Sequence, residues 1–213
     1  RDDALNQAGR IAASCGAKLI CETFPARIQR GAGRVPVERL PYFAEGATQM
    51  LKQFENIILV GATSPVAFFA YPDKQGALIP EQTNCHCLAT PREDAYHALS
   101  ALAELLGAPE SHELAQPAFT PPAPEGPLEP SGVAAVLAEL MPEHAIVSDE
   151  AATAGFALYP MTAGTPAHDW MTLTGGSIGQ GLPLAVGAAV ACPWHVGRRD
   201  GDEPANGAWP APL

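Results

Sequence analysis

The sequence predicts an α/β fold, and three observations carry that prediction. First, helical and strand-type patterns alternate over residues 1–107, the rhythm of a layered fold with parallel pairing. Second, Asn56-Ile-Ile-Leu-Val-Gly61 is a continuous apolar run of strand length, as expected for a buried parallel strand. Third, the β-type run Trp170-Met-Thr-Leu-Thr174 breaks into Gly175-Gly-Ser-Ile-Gly-Gln-Gly181 and then into an apolar helical run over 182–191. A strand that opens a helix through glycines lets backbone approach a ligand. The free N–H groups of the helix start then face an anion.

In chain order, residues 3–14 place Ala4, Leu5, Ala8, Ile11 and Ala12 on one helical face, and Gly16 stops the helix. Residues 17–23 read as a strand. Residues 24–36 carry Arg27, Arg30 and Arg34 beside two glycines and read as a solvated basic loop. Residues 40–54 read as a helix with Pro41 in its first turn. Residues 64–80 are irregular and aromatic-rich, and 83–89 form another strand. Residues 91–106 form a helix with Thr90 as N-cap, Pro91 at the first position, Glu93 at the third and Gly107 beyond the end.

Between 108 and 130 the composition changes to Pro, Ala and Glu, the signature of a semi-rigid linker. Ser131 caps a helix reaching about residue 141, residues 145–149 form a short strand, and 150–164 hold a turn and a short helix. The expected organisation is an α/β domain over 1–107, a linker over 108–130, and the start of a second α/β domain over 131–193. Residues 194–213 lack periodicity and are expected to be a disordered tail, read in a shifted frame. Position 1 is Arg, and the chain opens inside a helical pattern, which predicts a piece of a longer protein.

The 213 residues suffice for one large or two small domains, and 47% hydrophobic against 16% charged residues supports a packed core. No apolar run reaches the roughly 18 residues of a membrane span. A net charge of −11 argues against nucleic acid as a partner, because a polyanion is repelled. The five cysteines are odd in number and fit no disulfide framework, so a reducing, cytoplasmic compartment is expected.

Cys85-His-Cys87 invites a metal reading. A strand sets the two thiols on one face and His86 on the other, however, and no second ligand pair is visible, so these residues read as core. His97 reads as a surface residue of a helix. His168-Asp-Trp170 precedes the Gly-rich turn and reads as packing or capping. A rival to the phosphate reading is a non-catalytic nucleotide-binding or subunit-interaction module on residues 17–107, with Gly61-Ala-Thr-Ser64 as its feature.

Ser148-Asp-Glu-Ala-Ala-Thr153, then the Gly-rich stretch Gly175-Gly-Ser-Ile-Gly-Gln-Gly-Leu-Pro183, then an Ala-rich helix and Cys192-Pro193, resembles the diphosphate-binding domain of thiamine-diphosphate enzymes. The nearest groups in that family are the acetolactate synthase large subunit and benzoylformate decarboxylase. Residues 1–107 resemble the second half of the family's Rossmann-like central domain. The resemblance implies decarboxylation of a 2-oxo acid, or its ligation to a second carbonyl, in a homo-oligomer using thiamine diphosphate and Mg²⁺; FAD binds the central domain of some relatives.

By that resemblance Gly176 supplies a carbonyl to the cofactor's 4′-amino group. Ile178 wedges between the cofactor's rings, Thr153 touches the diphosphate, and Gly175 and Ser177 complete the turn. Glu150 matches a family acid at a strand end. Apart from the match, Ile178 reads as a core aliphatic at a helix start. The family's activating glutamate belongs to an N-terminal domain not included here. Its metal motif, Gly-Asp-Gly with a distant Asn, is replaced by Asp200-Gly-Asp202 and Asn206 at the wrong spacing. No catalytic or metal residue is therefore assigned, and the isolated chain is expected to be inactive.

Overall fold

The computed structural model describes residues 2–192, except 71, 73–75 and 152. The tail expected over 194–213, with Asp200, Asp202 and Asn206, lies outside the described residues. The architecture is mixed α/β. Helix α1 (Asp2–Cys15) ends where Gly16 turns left-handed (φ 73°) and its N–H bonds the Ala12 carbonyl at 2.8 Å. Its apolar face packs against helix α3 (Ala95–Leu105), and Ile11, Leu99, Ala103 and Ala108 form one core cluster. A second cluster gathers Leu40, Leu78 and the Ala47 and Leu51 face of helix α2 (Ala44–Leu51).

Strand β1 (Ile20–Cys21) pairs in parallel with β3 (Glu38–Arg39), and β4 (Asn56–Val60) pairs in parallel with β5 (Asn84–Ala89). Parallel pairing was expected over the first half, but these pairs form two separate two-stranded sheets. The apolar run of β4 is half-buried rather than buried, with Ile58 53% exposed. The same holds for Cys85, His86 and Cys87: they lie on β5 as expected, yet all three are exposed rather than in a core.

The third sheet has the order β2-β7-β6, from β2 (Ile28–Arg30), β7 (His168–Thr172) and β6 (Ile146–Asp149). β6 runs parallel to β7 in the register Asp149↔Thr172, and β2 runs antiparallel on the other side, Arg30↔His168. The stretch 24–36 is therefore not simply a loop, because its centre completes a sheet whose central strand lies about 140 residues downstream. Trp170, on the central strand, is fully buried.

Two helix starts differ from expectation. α3 begins at Ala95, with the Asp94 side chain accepting from the His97 N–H. Thr90 and Glu93 instead close a separate turn, in which the Thr90 N–H donates to the Glu93 carboxylate and the Glu93 N–H to the Thr90 carbonyl. That turn consumes the donors a cap at Thr90 would have served. Helix α4 (Pro130–Leu140) starts with Pro130 rather than with Ser131 as cap, as the fixed φ of proline favours.

The Pro-rich stretch before α4 is an extended strap pinned along its length. Arg10 donates to the carbonyls of Ala108 and Pro109 at 2.9 and 2.8 Å. Gln116 exchanges backbone bonds with Gly33 and Arg34, and the Phe119 N–H reaches the Gly164 carbonyl at 2.9 Å. Among the described residues no helix is long and apolar enough to cross a membrane.

Candidate functional site

Parallel pairing brings the ends of β6 and β7 side by side. A short helix α5 (Leu158–Met161) precedes β7, and after Thr172 the chain makes a 3-10 turn (Thr174–Gly176) and enters helix α6 (Gly181–Ala191). Gly175, Gly176 and Gly179 have φ of 63°, 68° and 95°, a left-handed run that side chains with a Cβ adopt only under strain. A Cβ at Gly176 would also meet the Phe68 ring at 2.7 Å. The glycines are thus demanded by the backbone path and by an aromatic neighbour.

Helix α6 has no side-chain cap of its own, since Gln180, at its N-cap, makes no such bond. Glu150, the first residue after β6, supplies the missing acceptor: one carboxylate oxygen accepts from the Gly179 N–H and the other from the Gly181 N–H. These two bonds hold the Glu150 carboxyl below the usual carboxylate range, because both stabilise its charged form. Ser148 adds a bond from its hydroxyl to the Gly181 carbonyl at 2.8 Å, and the Thr174 hydroxyl donates to Gln180 at 2.9 Å.

Asp149, one residue earlier, is committed elsewhere. Its Oδ2 accepts from Trp170 Nε1 at 3.2 Å and lies 3.8 Å from Arg39, while its Oδ1 accepts from the Ala151 N–H at 3.0 Å. Behind it lies a buried group centred on Arg30. The Arg30 guanidinium sits 3.6 Å above the Tyr159 ring and 5.1 Å from Trp170, and donates to Thr162 and to the Tyr159 carbonyl. Desolvation lowers the Arg30 pKa to about 10, raises the Tyr159 hydroxyl to about 12 and raises the Cys21 thiol to about 11. Arg30 is therefore not part of a solvated loop. Arg27 makes a bidentate pair with Asp169 at 2.9 Å, so the basic stretch is tied into the sheet.

The turn opens on a cavity of about 1120 Å³. Gly176, Ile178 and Glu150 line it together with Phe24, Phe68 and Tyr42. The aromatic side chains touch edge to face, with Phe24 5.5 Å from Phe68. Ile178 is 91% exposed, so it is not the core aliphatic that a helix-start reading suggests; it stands free on the cavity rim.

Of the sequence-derived site residues, Gly176 and Ile178 face the cavity together. Gly175 and Ser177 shape the turn between them and are exposed. Thr153 precedes the 3-10 turn Ala154–Phe156, is exposed, and is not among the cavity residues. His168 and Trp170 pack in the sheet, as expected. The His168 Nδ1–H bonds the Pro166 carbonyl at 2.8 Å, and burial lowers the ring's pKa. Gly61 turns left-handed after β4 and is not among the cavity residues. Sequence reasoning missed Glu150 as the cap of α6. The available signal was a Gly-rich helix start with no Ser, Thr, Asp or Asn at the N-cap, beside a strand end carrying two acids.

Among the described residues no group of three His, Cys, Asp or Glu side chains could hold a metal ion. Gly176 leaves open backbone and Ile178 an exposed aliphatic side chain at the cavity, while the Gly179 and Gly181 N–H groups at the start of α6 are bonded to Glu150.

No protein-family model matches the chain. Over 193 residues, 91% of its length, the chain is 49% identical to the acetolactate synthase large-subunit-like protein IlvX of Mycobacterium tuberculosis, of which it spans 37%. Its fold is similar to the thiamine diphosphate-dependent 4-hydroxybenzoylformate decarboxylase of Rhodococcus jostii, with a TM-score of 0.66 at 20% identity, covering 90% of this chain and 39% of that one. It is also similar to a Mycobacterium smegmatis protein assigned as a thiamin diphosphate-dependent enzyme, with a TM-score of 0.60 at 20% identity, over 91% of this chain and 41% of that one. The two structural likenesses speak to fold alone. The chain is thus similar in sequence to part of an acetolactate synthase large-subunit-like protein, and in fold to part of thiamine-diphosphate-dependent enzymes.

Proposed function

We propose that this chain is the cofactor-shaping portion of a thiamine-diphosphate-dependent 2-oxo acid decarboxylase or carboligase, and that it is inactive alone. One observation carries the reading: the Gly176–Ile178 turn opens on a large cavity at the joined ends of two parallel strands, where α/β sheets bind their ligands. Thiamine diphosphate would supply an electron sink for the carboxylate-bearing carbon of a 2-oxo acid. The chain's own residues would do the shaping. Gly176 presents backbone without a side chain in the way, Ile178 offers an aliphatic wedge, and Gly175 and Ser177 set the path between strand and helix. Thr153, just before the 3-10 turn that follows β6, would meet the diphosphate.

Residues 1–107 and 131–193 act in this reading as two α/β parts joined by 108–130. Mg²⁺ would accompany the diphosphate, as the charge of that group requires. Five free thiols support a reducing, cytoplasmic setting. Incubating the isolated chain with thiamine diphosphate, Mg²⁺ and either pyruvate or benzoylformate is expected to give no CO₂ above background. Sustained turnover would overturn the claim of inactivity.

A further inference from the structure

The cavity holds more positive charge than its own acids neutralise. Lys18, Arg30 and Arg39 line it together with Glu38, Asp149 and Glu150. Lys18 pairs with Glu38 at 2.8 Å, and Glu150 is taken by the Gly179 and Gly181 N–H groups. Two arginines are then left with Asp149 alone. Arg30, 8% exposed, donates to the neutral oxygens of Thr162 and Tyr159 and meets no carboxylate at ion-pair distance among the described residues. Arg39, its side chain 20% exposed, lies 3.8 Å from an Asp149 oxygen that already accepts from Trp170. Its guanidinium donates no hydrogen bond to any described residue. Both guanidiniums sit over the Tyr159 ring, 3.6 and 4.4 Å from its centroid, and desolvation first, then the like charge of Arg39, lowers the Arg30 pKa. Charges so screened from water call for a counter-ion. We propose that this cavity binds an aromatic monocarboxylate, its carboxylate held by Arg39 and its ring held among Phe24, Tyr42, Phe68 and Phe69. This goes beyond the thiamine-diphosphate reading of the turn and does not rest on it.

Each part of that ligand answers a feature of the cavity. A guanidinium offers paired N–H donors in a plane that matches the two oxygens of a carboxylate. Two arginines against one aspartate leave a single surplus charge, which a monoanion neutralises. A phosphate dianion would exceed it and would face Asp149 and Glu150 as well. The apolar part is set by the rings. Phe68 lies 5.0 Å from Phe69 and 5.5 Å from Phe24, and Tyr42 lies 5.8 Å from Phe69, all edge to face. Phe68 and Phe69 nevertheless remain 46% exposed, so a further ring can join the same edge-to-face arrangement. The volume of about 1120 Å³ lies at the upper end of small-ligand cavities and admits a single-ring acid without being filled by it.

Ligand-observed ¹⁹F spectra of 4-fluorobenzoate and of 4-fluorobenzyl alcohol, titrated with the full chain and its Arg39→Gln and Arg39→Lys variants, test this. The alcohol keeps the ring and lacks the charge. The unaltered chain is expected to bind the benzoate about tenfold or more tightly than the alcohol, the scale of a charge-assisted hydrogen-bonded pair. Arg39→Gln is expected to lose that preference while binding the alcohol as before, which shows that the ring-lined cavity persists. Arg39→Lys, with the charge but not the planar fork, should keep only part of the preference. Absence of benzoate binding, equal binding of acid and alcohol by the unaltered chain, or an undiminished preference in Arg39→Gln overturns the proposal. Should Arg39→Gln fail to fold by circular dichroism, Arg39→Lys decides: a reduced preference supports the proposal and an undiminished one overturns it. Tighter binding of 4-fluorophenylphosphonate than of 4-fluorobenzoate would overturn the choice of a carboxylate. All of these outcomes leave the thiamine-diphosphate reading of the turn untouched, since no thiamine diphosphate is present.

Discussion

Arg30 shows how far a residue's role depends on partners the local sequence does not name. Read locally it is one of three arginines in a Gly-containing loop; in the fold it is buried between Tyr159 and Trp170. Burial depresses its pKa to about 10, so its charge is a burden to the fold and its stacked stem and plane provide the stabilisation. Arg30→Ala should cost about 3 kcal/mol, by removing a large buried side chain, and Arg30→Met should recover more than half of that. Urea midpoints with unchanged slope would measure both. Equal losses would mean that the charge, not the packing, matters.

His168 gives the pH counterpart. Its folded pKa lies below the ordinary value, first through desolvation, so the unfolded chain takes up a proton that the folded chain refuses. Its stabilising contribution is complete above about pH 6.5, where both states are neutral, and is lost as pH falls toward the folded pKa. The urea midpoint should therefore drop between pH 7.5 and 5.5, and a His168→Gln variant should show a flatter profile over that range.

At the scale of elements, the Gly-rich turn and the strand before it were legible because glycine spacing and apolar runs are local signals. β2 was not, since Ile28–Arg30 has no strand signature of its own and is held by Trp170, Asp169 and His168. The start of α3 was misplaced for a different reason: Thr90 and Glu93 do exchange bonds, but around a turn that ends before Asp94 takes over as cap. The candidate turn residues could be named from sequence, whereas Glu150 as the acceptor at the start of α6 could be seen only when β6 lay beside β7.

Helix α6 carries a further consequence. Among the described residues it is the most apolar of the longer helices and buries none of its residues, with Leu182 82%, Val186 64% and Val190 76% exposed. So continuous an apolar surface favours association, opposed by the net charge of −11. Self-association should therefore increase with salt, as screening weakens the repulsion. The triple variant Leu182→Lys, Val186→Glu, Val190→Lys should be less associated by light scattering, with its urea midpoint shifted by less than about 0.5 kcal/mol in stability terms.

Across the whole molecule, β2 places a strand from the first 107 residues in the same sheet as β6 and β7, and the strap of residues 108–129 is pinned to both sides by Arg10, Gln116 and Phe119. Cohesion then resides in the shared sheet more than in the covalent connection. A protease site introduced at the exposed Gly126 should, after complete cleavage, yield two pieces that still co-elute under native conditions. Separate elution would show the strap to be the only tie.

The reading as a thiamine-diphosphate turn is tested most directly by ¹⁵N-labelled amide spectra recorded with thiamine diphosphate and Mg²⁺, and separately with ADP. Shifts that grow with thiamine diphosphate and concentrate at residues 174–181 and 148–153, with none at 61–64, are the predicted result. Shifts confined to 61–64, or responses to ADP but not to thiamine diphosphate, would contradict it.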